Sequence, residues 1–256
     1  MGLKLKTARE KLGVIAGEKS KFHLTQGVGE VTTLRNENRQ TSSLVNESEV
    51  LGRVYEKEKL VSMLLCDASH HDDLSVYAIC GMGGLGKTTL SQLVYNDENV
   101  AKAFDLRVWV YVSDDLNIKR LTQAILESIE GNSCNIQELD PLQQRLVEKL
   151  VRKRFLLALD NVWNECPDKW DVLKQPLWRG KRESTVVITT RAEKITLMTA
   201  GDILHRLRCL SNDDSWSLFK QKAFGRGINE GNVILEIIGR EIVRRCGGVS
   251  LAIKAL

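Results

Sequence analysis

Nine consecutive residues, Gly81–Thr89, read GMGGLGKTT and combine the residue types that bind phosphate. They follow the apolar run 75–80 and precede a helical pattern, which is the order of strand, glycine-rich loop and helix that a phosphate site requires. Glycines let the backbone curve around an anion, so the N–H groups of Gly84–Thr89 can point at the α- and β-phosphates near the positive end of the helix. We expect Lys87 to reach the β- and γ-phosphates and the Thr88 hydroxyl to ligate Mg²⁺. The sequence therefore predicts a nucleotide site.

The same stretch also fits a second pattern, because Gly81, Gly83 and Gly86 spell the G-x-G-x-x-G fingerprint of dinucleotide-binding proteins. That fingerprint needs an acidic residue at the end of the following strand, about 20 positions on, to hold the ribose. Asp105 instead precedes its strand, and a dinucleotide loop has no use for a lysine followed by a threonine. A purely structural glycine turn is the other alternative. We favour the mononucleotide site over both.

An acidic residue at the end of a buried strand is the expected partner of Mg²⁺ on the phosphates. Asp160 closes the apolar run FLLALD and fits this position; the alternative is an ordinary strand-end aspartate that caps the next turn. Many nucleotide hydrolases carry a second carboxylate next in the chain to activate water, whereas this chain has Asn161. An amide cannot accept the proton, and loss of a general base typically lowers the rate by about 10² to 10⁴. We therefore expect slow or absent ATP hydrolysis.

A further candidate is Arg191, which ends the run VVITTR. A guanidinium at a strand tip can distinguish ATP from ADP through one charge-assisted contact with the γ-phosphate. The alternative is a strand-end arginine in a surface ion pair. Lys87, Asp160 and Arg191 are thus the predicted catalytic residues, and Thr88 and Asp160 are the predicted metal ligands. The tryptophans are assigned to packing, their commonest role.

Composition limits the classes of partner. Across 256 residues, 37 basic and 33 acidic side chains give a net charge of +4 and alternate without blocks, so no specific nucleic-acid partner is expected. The 6 cysteines include no C-x-x-C pair, which is typical of reduced thiols, and we expect a cytoplasmic location. No segment approaches the roughly 18 apolar residues of a membrane span.

Four short apolar runs predict buried strands, at residues 75–80, 106–112, 155–159 and 185–189. Helical or irregular connections separate these runs, which favours a parallel sheet covered on both faces. After about residue 203 the strand signals fade, and two amphipathic patterns predict helices, the first of them capped at Ser211. We predict an α/β, three-layer fold with a parallel central sheet and a small C-terminal helical subdomain.

The chain divides into four predicted segments. A helical pattern over residues 1–22 looks like the tail of a helical domain, and the polar residues 23–49 form a predicted linker. Residues 50–203 form the predicted nucleotide-binding domain. Residues 204–256 form the helical subdomain, which is predicted to be incomplete because its last pattern is interrupted at Leu256.

Six blocks, in this order and spacing, resemble the NB-ARC domain of plant intracellular immune receptors, a P-loop NTPase domain of the STAND class. The Trp that closes LDNVW, the form of the fourth block and the N-terminal helix resemble the coiled-coil subclass of these NLR (NBS-LRR) disease resistance proteins. The resemblance extends from about Val50 to the C-terminus. The blocks are GMGGLGKTT (81–89), FDLRVWVYVS (104–113), FLLALDNVW (155–163), STVVITTR (184–191), LSNDDSWSLF (210–219) and CGGVSLA (246–252).

The resemblance implies an ADP-bound resting state, exchange for ATP, and reorientation of the helical subdomains as the signal. It implies that residues 1–22 are the remnant of a coiled-coil domain, that residues 204–256 are an incomplete ARC1-like subdomain, and that the chain is truncated. The implied cofactors are ADP or ATP and Mg²⁺. Self-association and signalling proteins are the further candidate partners.

The resemblance also assigns nucleotide contacts. Leu51 and Arg53, together with the turn that contains Ser250, are implied to frame the adenine. Two residues depart from the family pattern, because Asn161 stands for the usual second aspartate and Ser250 for the usual proline. The first departure concerns hydrolysis and the second concerns packing against the base. The implied contacts elsewhere are Gly81, Met82, Gly83, Gly84, Leu85, Gly86, Lys87, Thr88, Thr89 and Arg191.

The expected function is therefore a nucleotide-dependent switch in plant defence. An active AAA-type ATPase is an alternative, and it needs fast turnover and the arginine of a neighbouring subunit. A degenerate relative that binds nucleotide passively, as an interaction module, is a third reading. Bound nucleotide content and single-turnover hydrolysis separate the three.

Overall fold

The computed structural model describes residues 40–66, 74–112, 117–163, 166–198, 203–224 and 233–256. The chain divides into two units, 1–40 and 41–256, and all of these residues except Gln40 belong to the second. The predicted helix over residues 1–22 and most of the predicted linker, residues 23–39, lie outside the described residues. The architecture below is that of the second unit.

In the described residues of this unit, a 3-10 turn at Glu47–Glu49 comes first, and one or two helices connect each strand to the next. The helices are α1 (Val54–Cys66), α2 (Lys87–Tyr95), α3 (Glu98–Ala103), α4 (Ile118–Glu130), α5 (Leu139–Leu150), α6 (Pro167–Leu177), α7 (Glu193–Met198), α8 (Asn212–Ala223), α9 (Val233–Arg245) and α10 (Ser250–Lys254). The strands are β1 (Ser75–Cys80), β2 (Leu106–Tyr111), β3 (Phe155–Val162), β4 (Thr185–Thr190) and β5 (Ile203–Arg206).

The strands form one sheet in the order β2-β3-β4-β1-β5, and each neighbouring pair is parallel. Every residue of β1 and β4 is buried, as expected for central strands covered on both faces. The register pairs Cys80 with Thr190 and Tyr111 with Asp160, so the carboxyl ends of these strands meet along one edge. The predicted parallel sheet is confirmed.

The edge strand β5 is an element that the sequence patterns do not predict. It pairs with β1, from Tyr77 opposite Ile203 to Cys80 opposite Arg206. Its sequence, ILHR, contains no sustained apolar run, and none of its residues is fully buried. The predicted domain boundary after residue 203 lies within this strand.

Helices cover both faces of the sheet, because successive residues of a strand point to opposite faces. Ala78 of β1 packs on one face, in a core with Ile125 of α4 and Leu146 of α5. Its neighbour Ile79 packs on the other face, in a core that includes Leu90 of α2. Each of these residues is 1 % exposed or less. Burial of one large apolar side chain stabilises a fold by about 1.5–3 kcal/mol, so these two cores fix the three layers.

The C-terminal helices form a separate small core. Trp216 and Phe219 of α8 stack with ring centroids 5.6 Å apart, and Val243 of α9 and Ile253 of α10 are buried in the same cluster. The predicted cap of α8 is confirmed, since the Ser211 side chain accepts a hydrogen bond of 3.0 Å from the Asp214 N–H. The helical subdomain therefore has its own apolar centre.

Candidate nucleotide-binding site

The loop between β1 and α2 leaves a row of backbone N–H groups without partners. Gly84 and Gly86 have φ of 81° and 96°, left-handed values that favour glycine. Gly86 is also the N-cap of α2 and provides no side-chain cap. Within the described part of the chain, the N–H groups of Gly86, Lys87, Thr88 and Thr89 donate to no protein acceptor. Free donors at the positive end of a helix are suited to bind an anion.

The side chain of Lys87 lies across this loop. Its Nζ donates to the carbonyl oxygens of Gly81, at 2.7 Å, and Met82, at 3.0 Å. Burial lowers the pKa of Lys87, and the charge of the neighbouring Arg191 lowers it further. A phosphate oxygen carries a full negative charge and is a stronger acceptor than these carbonyls. The Gly81 and Met82 carbonyl oxygens thus hold the lysine ammonium against the loop.

Asp160, on β3, is 1 % exposed and accepts hydrogen bonds from three threonine hydroxyls. Thr88 Oγ1 lies 2.9 Å from Oδ1 and 3.1 Å from Oδ2, Thr189 Oγ1 lies 2.5 Å from Oδ1, and Thr41 Oγ1 lies 2.8 Å from Oδ2. A buried carboxylate needs such partners to offset the loss of water. Thr88 and Asp160, the two predicted metal ligands, are therefore in direct contact.

The donor set suits Mg²⁺. The described residues contain no group of three or more His, Cys, Asp or Glu side chains that could hold a metal ion by themselves. Mg²⁺ is usually held by one or two protein oxygens together with substrate phosphates and waters. The Thr88 hydroxyl and the Asp160 carboxylate, beside the free N–H groups of the loop, meet this requirement. A cation held there would offset the negative charge of the phosphates.

Thr41 is a site residue that sequence reasoning missed. It lies in the predicted linker, 119 residues before Asp160 along the chain. The next residue, Ser42, is tied to helix α2, because its carbonyl oxygen accepts a hydrogen bond of 2.5 Å from Gln92 Nε2. The only sequence signal is the run of hydroxyl residues at 41–43, and no strand or helix pattern accompanies it.

Arg191 follows β4 and lies between the loop and an exposed indole. Its guanidinium carbon is 4.6 Å from the centroid of the Trp163 ring. A Cβ on Gly83 would lie 3.3 Å from the same carbon, so the guanidinium is against the loop. Trp163 is 37 % exposed and Trp178 is 55 % exposed, which differs from the packing role expected for the tryptophans. Trp163 instead provides a cation–π surface for the predicted sensor arginine.

Asn161 occupies a kink in β3 beside Asp160. The pairing of β3 with β4 shifts register between Leu159 and Val162, and Asn161 has a φ of 66°, a region in which asparagine is enriched. Its Nδ2 donates to the Tyr111 hydroxyl at 3.2 Å, and its Oδ1 accepts from Trp163 Nε1 at 2.7 Å. Both ends of the amide are therefore engaged by neighbouring side chains.

Arg53 forms a hydrogen bond with the backbone of the phosphate loop. It is 4 % exposed, and one guanidinium nitrogen donates to the carbonyl oxygens of Leu85, at 2.8 Å, and Arg208, at 3.0 Å. The other nitrogen pairs with Glu56 at 2.9 Å. A buried guanidinium with these partners positions the loop backbone, and Leu51, two residues earlier, packs against the core of the helical subdomain.

Helix α10 contacts the loop directly. The Leu251 N–H donates to the Gly84 carbonyl oxygen at 3.0 Å, and the Ser250 hydroxyl lies 3.3 Å from the Leu85 carbonyl oxygen. A Cβ on Gly84 would lie 2.9 Å from the Leu251 Cβ. The helical subdomain and the phosphate loop are thus joined by hydrogen bonds and close packing.

A cavity of about 240 Å³ collects most of the predicted residues. Gly81, Met82 and Asp160 are not among the residues that line it, but they contact two that do: Gly81 and Met82 accept hydrogen bonds from Lys87, and Asp160 accepts one from Thr88. Asn161 and Thr189 also line it. The predicted residues in the wall are Leu51, Arg53, Gly83, Gly84, Leu85, Gly86, Lys87, Thr88, Thr89, Arg191 and Ser250.

Comparison with known families decides the classification. Residues 53–228 match the family described as the NB-ARC domain. The chain belongs to the NB-ARC family. The match covers the sheet, the phosphate loop and helix α8, and it confirms the resemblance inferred from the six sequence blocks.

Relatives of this NB-ARC chain are plant disease resistance proteins. It is 45 % identical over 256 residues to putative disease resistance protein RGA1 of Solanum bulbocastanum, covering 100 % of the chain and 26 % of the relative. It is 43 % identical to disease resistance protein RGA2 of the same plant, covering 100 % of the chain and 26 % of the relative. Identity to putative disease resistance RPP13-like protein 1 of Arabidopsis thaliana is 36 %, over 98 % of the chain and 24 % of the relative. The chain thus spans about a quarter of their length.

Solved structures with the same fold include Cdc6p and ORC2 proteins. Cdc6p of Pyrobaculum aerophilum aligns with a TM-score of 0.61 at 17 % identity, over 83 % of this chain and 62 % of that one. The Aeropyrum pernix ORC2 protein, in its ADPNP-ADP complexes, aligns with a TM-score of 0.53 at 18 % identity, over 82 % and 63 %. At this identity the likeness concerns the fold, and it confirms the P-loop NTPase architecture of the NB-ARC chain. Among the residues described, every helix is too short or too polar to cross a lipid bilayer.

Proposed function

We propose that this NB-ARC chain binds ADP or ATP with Mg²⁺ and acts as the molecular switch of a plant intracellular immune receptor. The observation that supports this most directly is the phosphate loop, in which unpartnered N–H groups from Gly86 to Thr89 adjoin the Lys87 ammonium and the Thr88–Asp160 pair. Free donors, a cation and a hydroxyl beside a carboxylate together suit a nucleotide phosphate with its metal ion. The disease resistance relatives supply the physiological setting.

Each predicted residue has a proposed role in this function. The loop N–H groups and Lys87 bind the β- and γ-phosphates, while Thr88 and Asp160 hold Mg²⁺. Arg191 detects the γ-phosphate, and its place against Gly83 supports this role. Leu51, Arg53 and Ser250 also line the cavity, and we place the adenine beside them.

The contacts of α10 support a switch. The Gly84 and Leu85 carbonyls accept hydrogen bonds from Leu251 and Ser250. A phosphate that shifts the loop therefore also changes the contacts that position the helical subdomain. We propose that this subdomain reorients when ATP replaces ADP. We also propose that the division from the nucleotide-binding domain falls after Arg206, since β5 belongs to the sheet.

Hydrolysis is proposed to be slow or absent, because Asn161 cannot act as a base and both ends of its amide are engaged. An active AAA-type ATPase needs a general base at this position to activate water. No observation in the described residues favours that alternative.

We place the protein in the cytoplasm. Among the cysteines whose side chains are described, Cys80, Cys134, Cys209 and Cys246 are free thiols, as in proteins of reducing compartments. Self-association and signalling proteins remain the proposed partners beyond the nucleotide.

The test is calorimetric titration of the whole chain with ADP and ATP in the presence of Mg²⁺. Lys87→Ala should lose most of the binding, because the phosphates lose their cation. Lys181→Ala, an exposed lysine at the opposite ends of the strands, is the matched control and should bind like the unaltered chain. Absence of binding heat for both nucleotides in a folded sample would overturn the proposal.

A further inference from the structure

The segment just before the NB-ARC match makes an ordered set of contacts with the site. Thr41, Ser42 and Ser43, named here the strap, precede the matched residues 53–228 by ten positions or more. The Thr41 hydroxyl donates to Asp160 at 2.8 Å. The Ser42 carbonyl oxygen accepts a hydrogen bond from Gln92 in α2, and the Ser43 carbonyl oxygen accepts one from Asn96 at the end of that helix. Lys87 and Thr88 are the first residues of the same helix.

The strap is held at separate points along one helix. Ser42 O is 2.5 Å from Gln92 Nε2, and Ser43 O is 2.6 Å from Asn96 Nδ2. Gln92 and Asn96 are four residues apart, so they lie on the same face of the helix. The chain of the strap therefore runs alongside α2, and the Thr41 side chain reaches the carboxylate beyond the beginning of that helix.

The acceptor that Thr41 uses is buried and charged. Asp160 is 1 % exposed, and Oδ1 is shared by Thr88 and Thr189. Thr41 is the shorter of the two contacts to Oδ2, at 2.8 Å against 3.1 Å for Thr88. A carboxylate offers about four lone-pair sites, so the Thr41 bond leaves room for a metal-bound water while it fixes the rotation of the carboxylate. Hydrogen bonds to a charged group are roughly twice as strong as neutral ones.

We propose that Thr41 is a positioning residue for the Thr88–Asp160 metal pair, and that Mg²⁺ and nucleotide stabilise the contact of the strap with Asp160. The proposal rests on the proposed function and deepens it. Thr41 does not touch the nucleotide; it holds Asp160 in the orientation in which Thr88 and the carboxylate can share a metal ion. Since coupling between two sites is reciprocal, a strap that favours the metal must itself be stabilised by the metal.

The strap also connects the site to the helical subdomain. A few residues after it, the Ser48 carbonyl oxygen accepts a hydrogen bond of 3.3 Å from Gln221 Nε2, and Glu49 pairs with Lys222 at 2.9 Å. These contacts are exposed, so each contributes little by itself. The segment 41–49 therefore contacts Asp160 at its first residue and α8 at its last two residues.

The experiment compares the whole chain with three variants. Thr41→Val removes the hydroxyl and keeps the shape, Thr41→Ser keeps the hydroxyl, and Ser42→Ala is the matched control, because the Ser42 contact uses its backbone oxygen. ADP affinity is measured by calorimetry with MgCl₂ and again with EDTA. We expect Thr41→Val to weaken Mg²⁺-dependent ADP binding by about three- to tenfold, with no change in EDTA, while the other two variants bind like the unaltered chain.

Hydrogen exchange of the amides at 41–45 is the second readout, and it does not depend on hydrolysis. Mg²⁺ with ADP should slow this exchange in the unaltered chain and in Thr41→Ser, and should leave it unchanged in Thr41→Val. Equal loss of affinity with and without Mg²⁺, or no loss at all, would overturn the role of Thr41. If the unaltered chain itself fails to bind ADP, the proposed function fails, and this inference fails with it. Thermal unfolding of each ligand-free variant separates these results from loss of the fold.

Discussion

The proposed phosphate side and the proposed base side of the cavity are built in different ways. On the phosphate side, Lys87 and Thr88 begin the helix after β1 and Asp160 lies on β3, and the parallel pairing of both strands with β4 fixes their positions. On the base side, Leu51 and Ser250 come from segments about 200 residues apart: Leu51 packs against the core of the helical subdomain, and the Ser250 hydroxyl lies 3.3 Å from a loop carbonyl oxygen. We therefore expect departures from the family pattern to have different effects on the two sides. A change at the phosphate side should alter the hydrolysis of ATP, whereas a change at the base side should alter how the helical subdomain packs against the loop.

The largest expected effect is at the phosphate side. Asn161→Asp introduces a carboxylate at a φ of 66°, which aspartate also tolerates; its oxygens can accept from Trp163, as the amide oxygen does, and from the Tyr111 hydroxyl, which accepts from the amide nitrogen in the unaltered chain. We expect ATP hydrolysis to rise by about 10²- to 10⁴-fold, the contribution typical of a general base. Single-turnover release of phosphate measures it. Asn161→Ala is the control, and an equal rise in that variant would show that release of Trp163, and not the carboxylate, is the cause.

An intermediate effect is expected where the two sides join. Gly84→Ala combines a φ of 81° with a Cβ placed 2.9 Å from Leu251 Cβ, so the loop and α10 cannot both keep their positions. We expect a loss of about 1–3 kcal/mol in the free energy of unfolding and a weakening of ADP binding by about tenfold or more. Chemical unfolding and calorimetry measure the two quantities.

The control for this change is Gly131→Ala, at the end of α4. Gly131 has a φ of 71°, but a Cβ there would meet no atom within 4 Å. It should lose stability through backbone strain alone and bind ADP normally. If both variants bind ADP equally well, the contact between α10 and the loop has no part in nucleotide binding.

The smallest effect is expected at the base side. Ser250 is the first residue of α10, its N–H donates to no backbone acceptor in the described part of the chain, and Val249 before it has φ −80° and ψ 109°. Proline suits such a position and lowers the entropy of the unfolded chain. Ser250→Pro should raise the melting temperature by about 1–4 °C and leave hydrolysis unchanged. Ser250→Ala separates loss of the hydroxyl contact from the effect of the ring, and a fall in melting temperature for the proline variant would contradict the prediction.

The sequence predicts the phosphate side well because its chemistry is local. The loop from Gly81 to Thr89 carries donors, cation and hydroxyl within nine residues, and Asp160 is marked by the apolar strand before it. The four apolar runs likewise predict strands β1 to β4. Strand β5 could not be predicted because ILHR has no periodic pattern, and it becomes a strand only through pairing with β1.

Contacts that join distant segments could not be predicted from spacing. Thr41 meets Asp160 across 119 residues, and no rule of local periodicity links a polar run to a buried carboxylate so far away. Arg53 illustrates the same limit, because its guanidinium donates to the carbonyl oxygens of Leu85 and Arg208, contacts that no local pattern predicts. In both cases the position of the side chain is set by hydrogen bonds to residues far away in the chain.

The kink at Asn161 has a consequence for how such domains diversify. Because asparagine and aspartate both accept a left-handed backbone and both can satisfy the neighbouring indole and phenol, exchanging one for the other requires no rebuilding of the strand. Under the proposed function, a single substitution at this position would change the lifetime of the ATP-bound state, while the surrounding strand and its neighbours keep their structure.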